Sequence, residues 1–205
     1  MEETDPKWKK VNMSEIIEVR DGTHDSPKQT ENGFYLITSR HLKEEGIDYA
    51  NAYKISEQDY NQINKRSKVD KNDLLFSMIG TLGLIHYVDE EPSYAIKNIG
   101  LFKSSNKPEF SKYLYLLLKS PIGKDFIFEN ADGSTQEYIA LGNLRSFLFE
   151  YPGDLIIKKF DVIIEPYFNK ICRNKRQIRT LTRLRNTLLP KLMSGEVMVT
   201  KEEMV

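Results

Sequence analysis

From Asp154 to Ser194, apolar residues recur with a heptad spacing: Ile157, Phe160, Ile164, Tyr167, Ile171, Ile178, Leu181, Leu188 and Leu192. Asn174 and Arg185 are the polar members of the same seam. A pattern held over about five heptads predicts one long helix that pairs along its length with another. At ~1.5 Å per residue, roughly 40 residues of helix span about 60 Å. That exceeds what a compact domain needs, so the element reads as a spacer. Pro166 and Pro190 fall inside the run. A proline in a helix interior costs ~3 kcal/mol. Because the heptad phase passes Pro166 without a slip, the reading is a continuous helix bent near Pro166. Asp154 is its expected N-cap and Gly195 its expected stop.

Charge is zero overall but unevenly spread. Residues 1–153 carry 19 Lys and Arg against 24 Asp and Glu, whereas residues 154–193 carry 10 against 3. A neutral chain does not bind nucleic acid by charge alone, although a reader with cations on one face stays open. No apolar stretch is long enough to span a membrane. The opening MEETDPKWKK has no apolar core, so no secretory signal is expected. The single Cys172 fits a reducing cytoplasm.

The organisation expected is an α+β globule over 1–152, a long spacer helix over 153–195 that forms an antiparallel coiled coil, and a tail over 196–205. Within the globule, Trp8–Val19 reads as an edge element and a helical turn capped by Ser14. Strands are expected at Phe34–Thr38, Leu74–Ile79, Leu84–Val88, Ala95–Lys103 and Ser146–Tyr151. Helices are expected from Ser56 to about Lys65, over Phe110–Lys119 and near Ile122–Glu129.

Several short motifs then point the same way. They are Asp21-Gly22-Thr23-His24 with Pro27-Lys28, and Ile55-Ser56 leading to Lys65-Arg66-Ser67. Asp73-Leu74-Leu75-Phe76-Ser77 follows with Ile79-Gly80-Thr81-Leu82-Gly83, then Gly133-Ser134-Thr135-Gln136, and Leu188-Leu189-Pro190-Lys191-Leu192 with Ser194-Gly195-Glu196. In order and spacing they resemble the specificity subunits of type I restriction–modification systems, over nearly the whole chain. One departure is Asn72, where the pattern usually has glycine. The resemblance implies a target-recognition domain that reads one half of a bipartite DNA site. It also implies a conserved helix that spaces two such domains and docks methyltransferase (modification) subunits. A full subunit has two domains and two helices, whereas this chain shows one of each. A homodimer would then read a palindromic split site, and a truncated or silent cassette is the other possibility. In either case the chain itself is expected to be non-catalytic. S-adenosylmethionine, ATP and Mg would sit on the modification and restriction subunits.

Base edges are read by paired donors and acceptors, and phosphates are held by cations. The candidates are Thr23, His24 and Lys28 in one loop; Arg40 and His41 in a second; Lys65, Arg66 and Lys68; Thr81; and Ser134, Thr135 and Gln136. Arg40 and Gln136 lead for base contacts, since guanidinium and amide groups bond bidentately to guanine and adenine. Lys65 and Arg66 suit phosphates. On the helix, the seam residues from Ile157 to Leu192 are the candidates for dimerisation, with Asn174 setting register. The Gly80–Gly83 turn lacks the Lys-Ser/Thr of a P-loop, and His24, His41 and His86 lack metal-ligand spacing. A coiled-coil adaptor that never touches DNA remains the rival from another class. Within the DNA-reading class, the specificity module of a fused restriction–methylation enzyme also stays open.

Overall fold

The computed structural model describes residues 8–197. Residues 198–205, most of the expected tail, lie outside the described residues. In chain order the globule contains β1 (Lys9–Asn12), α1 (Met13–Ile16), β2 (Val19–Asp21), β3 (Phe34–Thr38), β4 (Leu42–Lys43), β5 (Gly46–Ile47), β6 (Lys54–Ile55) and α2 (Glu57–Ser67). Then come β7 (Leu74–Ser77), β8 (Ile85–Tyr87), β9 (Tyr94–Lys97), β10 (Ile99–Phe102), α3 (Pro108–Lys119), α4 (Pro121–Asn130), α5 (Leu141–Arg145) and β11 (Leu148–Tyr151). The long helix α6 runs from Asp154 to Met193.

Two sheets form the centre. One has the order β2-β10-β7-β8 and the other β6-β3-β9, with β3 and β9 parallel. The expected strand over Ala95–Lys103 is in fact two. Asn98, at φ 51°, breaks it and passes the chain from one sheet to the other. Side chains alternate across a strand, so successive residues of β3 serve opposite faces. Ile37 packs with Leu75, Ile96, Ile99 and Leu101 between the sheets. Leu36 packs with Ile55, Ile63 of α2 and Ala95 on the far face. With both faces covered, β3 reads as a continuous apolar run rather than an alternating one.

Helix starts follow their capping chemistry. Ser56 Oγ accepts the Asp59 N–H at 3.1 Å, and α2 runs past Lys65 to Ser67. The first helical turn is capped by Asn12 rather than Ser14, because the Asn12 N–H reaches the Glu15 carboxylate at 2.7 Å. Asp154 is likewise the first residue of α6 rather than its cap. The Gly153 carbonyl accepts the Ile157 N–H at 3.1 Å, while the Asp154 carboxylate is taken by Lys107 and the Tyr151 hydroxyl. The Lys107 hydrogen bond is the main reason its carboxyl is held below the ordinary aspartate value. At the other end Gly195, at φ 75°, ends the helix as expected.

Helix α6 is continuous through Pro166 and Pro190. The chain nonetheless divides into two compact units at Pro166, residues 1–166 and 167–205. The first turns of the helix therefore belong to the globule. Ile157 is fully buried, Phe160 meets Tyr113 edge-on at 5.8 Å, and Asp161 pairs with Lys112 at 2.7 Å. Ile157 is thus corrected from a dimer-seam residue to a core residue, and Phe160 is committed largely to the same packing. The heptad could not separate the two roles, because a helix docked on its own domain has the same apolar spacing as one docked on a partner. Among the described residues, no helix is long and apolar enough to cross a membrane.

Asn72, the departure from the glycine-bearing pattern, has φ 72°. Asparagine tolerates this left-handed region better than other residues with a Cβ. Its Oδ1 also accepts the Tyr87 hydroxyl at 2.7 Å. Asn72→Ala is expected to cost about 1–2 kcal/mol and Asn72→Gly less than half of that. In a chain of this size, a thermal melt should show the alanine variant lower by roughly 2–8 °C.

Candidate nucleic-acid interface

The opening motif loop is held close to the sheets. A Cβ at Gly22 would lie 2.5 Å from the Ile96 carbonyl oxygen, so only glycine permits this approach. The Gly22 and Thr23 N–H groups donate to the Ile99 and Ile96 carbonyls at 2.9 and 3.0 Å. This places His24 against the break between β9 and β10. Its Nδ1 lies 2.7 Å from Asn98 Oδ1 and its Nε2 2.8 Å from the buried Asp21 carboxylate. Arg66, at the end of α2, reaches the other oxygen of Asp21. Two motifs about forty residues apart in sequence thus share one buried carboxylate.

On the other side of Asn98 lies a cleft of about 790 Å³. Its walls include Thr38, Ser39, Arg40, Gly80, Thr81, Lys97, Asn98 and Gln136. The Gly80 turn is closed by Ser77, whose hydroxyl donates to the Thr81 carbonyl and accepts the Leu84 N–H at 2.9 Å. Backbone bonds from Gly80 N–H to the Glu137 carbonyl (3.0 Å) and from Ile139 N–H to the Met78 carbonyl (2.9 Å) tie that turn to the Gln136 loop. Ser39 Oγ donates to the Asn98 carbonyl at 2.8 Å and anchors the Arg40 turn to the same floor. Arg40, Thr81 and Gln136 come from loops far apart in sequence and face one space. All three are exposed.

The other candidates divide. Ser134 and Thr135 are exposed on the Gln136 loop but do not line the cleft. Lys28 is exposed in the His24 loop. Lys65 donates to Gln62 at 3.0 Å and Lys68 pairs with Asp70 at 2.8 Å, on the α2 side away from the cleft walls. Thr23 accepts the Asp25 N–H at 3.1 Å and so shapes its own loop. His41 is corrected. It is 3% exposed, and its Nδ1 accepts the Thr38 N–H at 3.0 Å, so it braces the Arg40 turn from inside. Burial is the main cause that pushes its pKa below the ordinary histidine value. A side chain so enclosed cannot reach a base. Sequence reasoning missed Lys97 and Asn98, the polar pair inside the apolar run Tyr94–Phe102. That interruption was the available signal.

The cleft offers the Arg40 guanidinium, the ammonium groups of Lys43 and Lys97, two amides and several hydroxyls. The carboxylates on its rim are Glu44, paired with Lys119 at 3.4 Å, and Glu45. Hydrogen-bonding side chains from separate loops converging on one cleft suit a recognition module. The chain belongs to the type I restriction modification DNA specificity domain family, which matches residues 6–183. It is 30% identical over 105 residues to the type I restriction enzyme MjaIX specificity subunit of Methanocaldococcus jannaschii, covering 51% of this chain and 24% of that protein. To the HindI specificity subunit of Haemophilus influenzae it is 28% identical over 141 residues, covering 65% and 29%. The fold matches the S subunit of a type I restriction–modification system from M. genitalium with a TM-score of 0.58 at 14% identity, covering 95% of this chain and 48% of that one. The chain therefore spans between about a quarter and a third of these curated relatives and about half of the solved structure.

Proposed function

We propose that this chain is a DNA sequence-recognition module of a type I restriction–modification enzyme, reading one half of a bipartite site through the Arg40–Thr81–Gln136 cleft. The observation that carries the reading is the convergence of those three side chains on one space, in a chain of this family. The module is non-catalytic and acts in the cytoplasm on double-stranded DNA. Modification subunits, with S-adenosylmethionine, and restriction subunits, with ATP and Mg, supply the chemistry. A second copy of the chain completes the site. The exposed stripe Tyr167, Ile171, Ile178, Leu181, Leu188 and Leu192 is the pairing surface that supports this. With Ile157 committed to the globule, the stripe begins at the half-buried Ile164 and its midpoint moves to Ile178. An antiparallel pair would then set Asn174 against the partner's Leu181 layer rather than against itself.

Co-expression with a cognate modification subunit and genome-wide mapping of methylated adenines tests the proposal. A palindromic split motif is the expected result. A stable complex that methylates nothing would overturn it and favour an adaptor.

A further inference from the structure

Beyond Glu165, helix α6 changes character. Residues 167–193 contain eight Lys and Arg and no Asp or Glu. Four of the eight cations share one narrow face, whereas Lys170, Lys175, Arg179 and Arg185 lie elsewhere around the helix. Arg173, Arg176, Thr180, Arg183, Thr187 and Lys191 follow one another at spacings of three or four residues, which places them on one face. At 100° per residue this face lies away from the apolar stripe of Ile171, Ile178 and Leu181, leaving that stripe available for pairing. Arg173, Arg176, Arg183 and both threonines are exposed. Arg173, Arg176 and Thr180, with Gln177 and the stripe residue Leu181, line a surface concavity of about 480 Å³ that runs from this face to the edge of the stripe.

We propose that this face binds the DNA backbone without regard to sequence, gripping the duplex that lies between the two half-sites. The inference rests on the DNA-reading function proposed above and adds a second contact surface to it. Charge complementarity identifies the occupant as a polyanion: the stretch holds eight cations and no carboxylate of its own. Of the face's cations, Lys191 pairs with Glu196 beyond the helix at 3.0 Å, and Arg173, Arg176 and Arg183 are the ones that would hold the polyanion. The composition of the face identifies it further. Guanidinium, ammonium and hydroxyl groups are the side chains that bond phosphate oxygens. From Arg173 to Lys191 the helix rises about 27 Å, which matches roughly eight base pairs of duplex. Such contacts position the protein and carry no base information. The half-site would thus be chosen at the cleft and the intervening DNA held at the helix.

The test measures binding of the full chain, with its modification subunit, to a labelled mixed-sequence duplex over a series of salt concentrations. Arg173→Gln/Arg176→Gln/Arg183→Gln is compared with the wild type and with the corresponding triple lysine variant. Circular dichroism confirms that α6 is retained. Each lost phosphate contact lowers the slope of log K against log salt by about 0.9. The glutamine variant is therefore expected to show a slope lower by roughly 2–3 for each copy of the chain on the duplex, with the lysine variant close to wild type. The methylated motif should not change. An unchanged slope alongside steep wild-type binding overturns this inference alone. Weakened assembly with the modification subunit at an unchanged slope overturns it too, and assigns the face to an acidic protein surface. Absence of any salt-dependent binding by the wild type overturns the functional reading beneath it.

Discussion

Replacing Asp73 by alanine is expected to destabilise the globule by about 3–5 kcal/mol, because it removes the buried partner of Lys103, leaving it only the partly exposed Asp70, and takes the acceptor from two backbone N–H groups. Asp73 is fully buried and its carboxylate meets Lys103 Nζ at 2.5 Å. The same carboxylate accepts the Asp70 N–H at 2.7 Å and the Ser105 N–H at 3.0 Å. Lys103, 4% exposed, also donates to the Lys68 carbonyl and to Asp70. The network joins the loop before β7 to the end of β10, so the motif aspartate is a structural anchor. Asp73→Leu combined with Lys103→Met should cost less than the sum of the two single changes, since it removes both members of the buried pair together. Denaturant melts of the singles and the double check this directly. A double variant as unstable as the sum of the singles would show that the pair is not coupled.

The same network gives a pH dependence. Burial alone would raise the Asp70 pKa, but hydrogen bonds from Lys103 and Lys68 outweigh it and hold the carboxyl below the ordinary value. A depressed folded-state pKa contributes stability above the unfolded pKa and loses it as pH falls through the folded one. Asp70→Asn should therefore flatten the loss of stability between neutral and acid pH. Part of the Asp70 carboxylate is solvent-exposed, so solvent screening keeps this effect small.

Arg40→Ala is expected to weaken binding to the specific site by about 1–3 kcal/mol, roughly 5- to 150-fold, while leaving non-specific binding within a few-fold of wild type. The guanidinium is exposed on the cleft wall, on a turn braced by buried His41 and by Ser39, so its removal should not unfold the turn. Gln136→Ala should act likewise at another position of the motif. Competition binding against site-bearing and scrambled duplexes separates the two losses. Equal weakening on both duplexes would make Arg40 a phosphate contact instead of a base contact.

Much of this architecture was legible from local signals. The heptad run located α6 to its C-terminal glycine, and Ser56 marked the start of α2. Other features were hidden for identifiable reasons. Tyr94–Phe102 reads as one strand because both halves are apolar, and nothing nearby announces that they belong to different sheets. Helix α5, Leu141–Arg145, is too short to display a helical period. Ser39-Arg40-His41 is a polar triplet in which only packing shows that Arg40 faces out while His41 faces in. Ile157 and Ile178 hold equivalent heptad positions, yet one is fully buried and the other 50% exposed.

The sequence by itself determined the elements, the long basic helix and the loops that carry hydrogen-bonding side chains, because period, caps and charge are properties of neighbouring residues. Only the tertiary structure decided which loops share a cleft. That choice follows from the parallel pairing of β3 with β9, the crossing between sheets at Asn98 and the tie between the Gly80 turn and the Gln136 loop. Each of these joins residues far apart along the chain, where no local pattern records the contact.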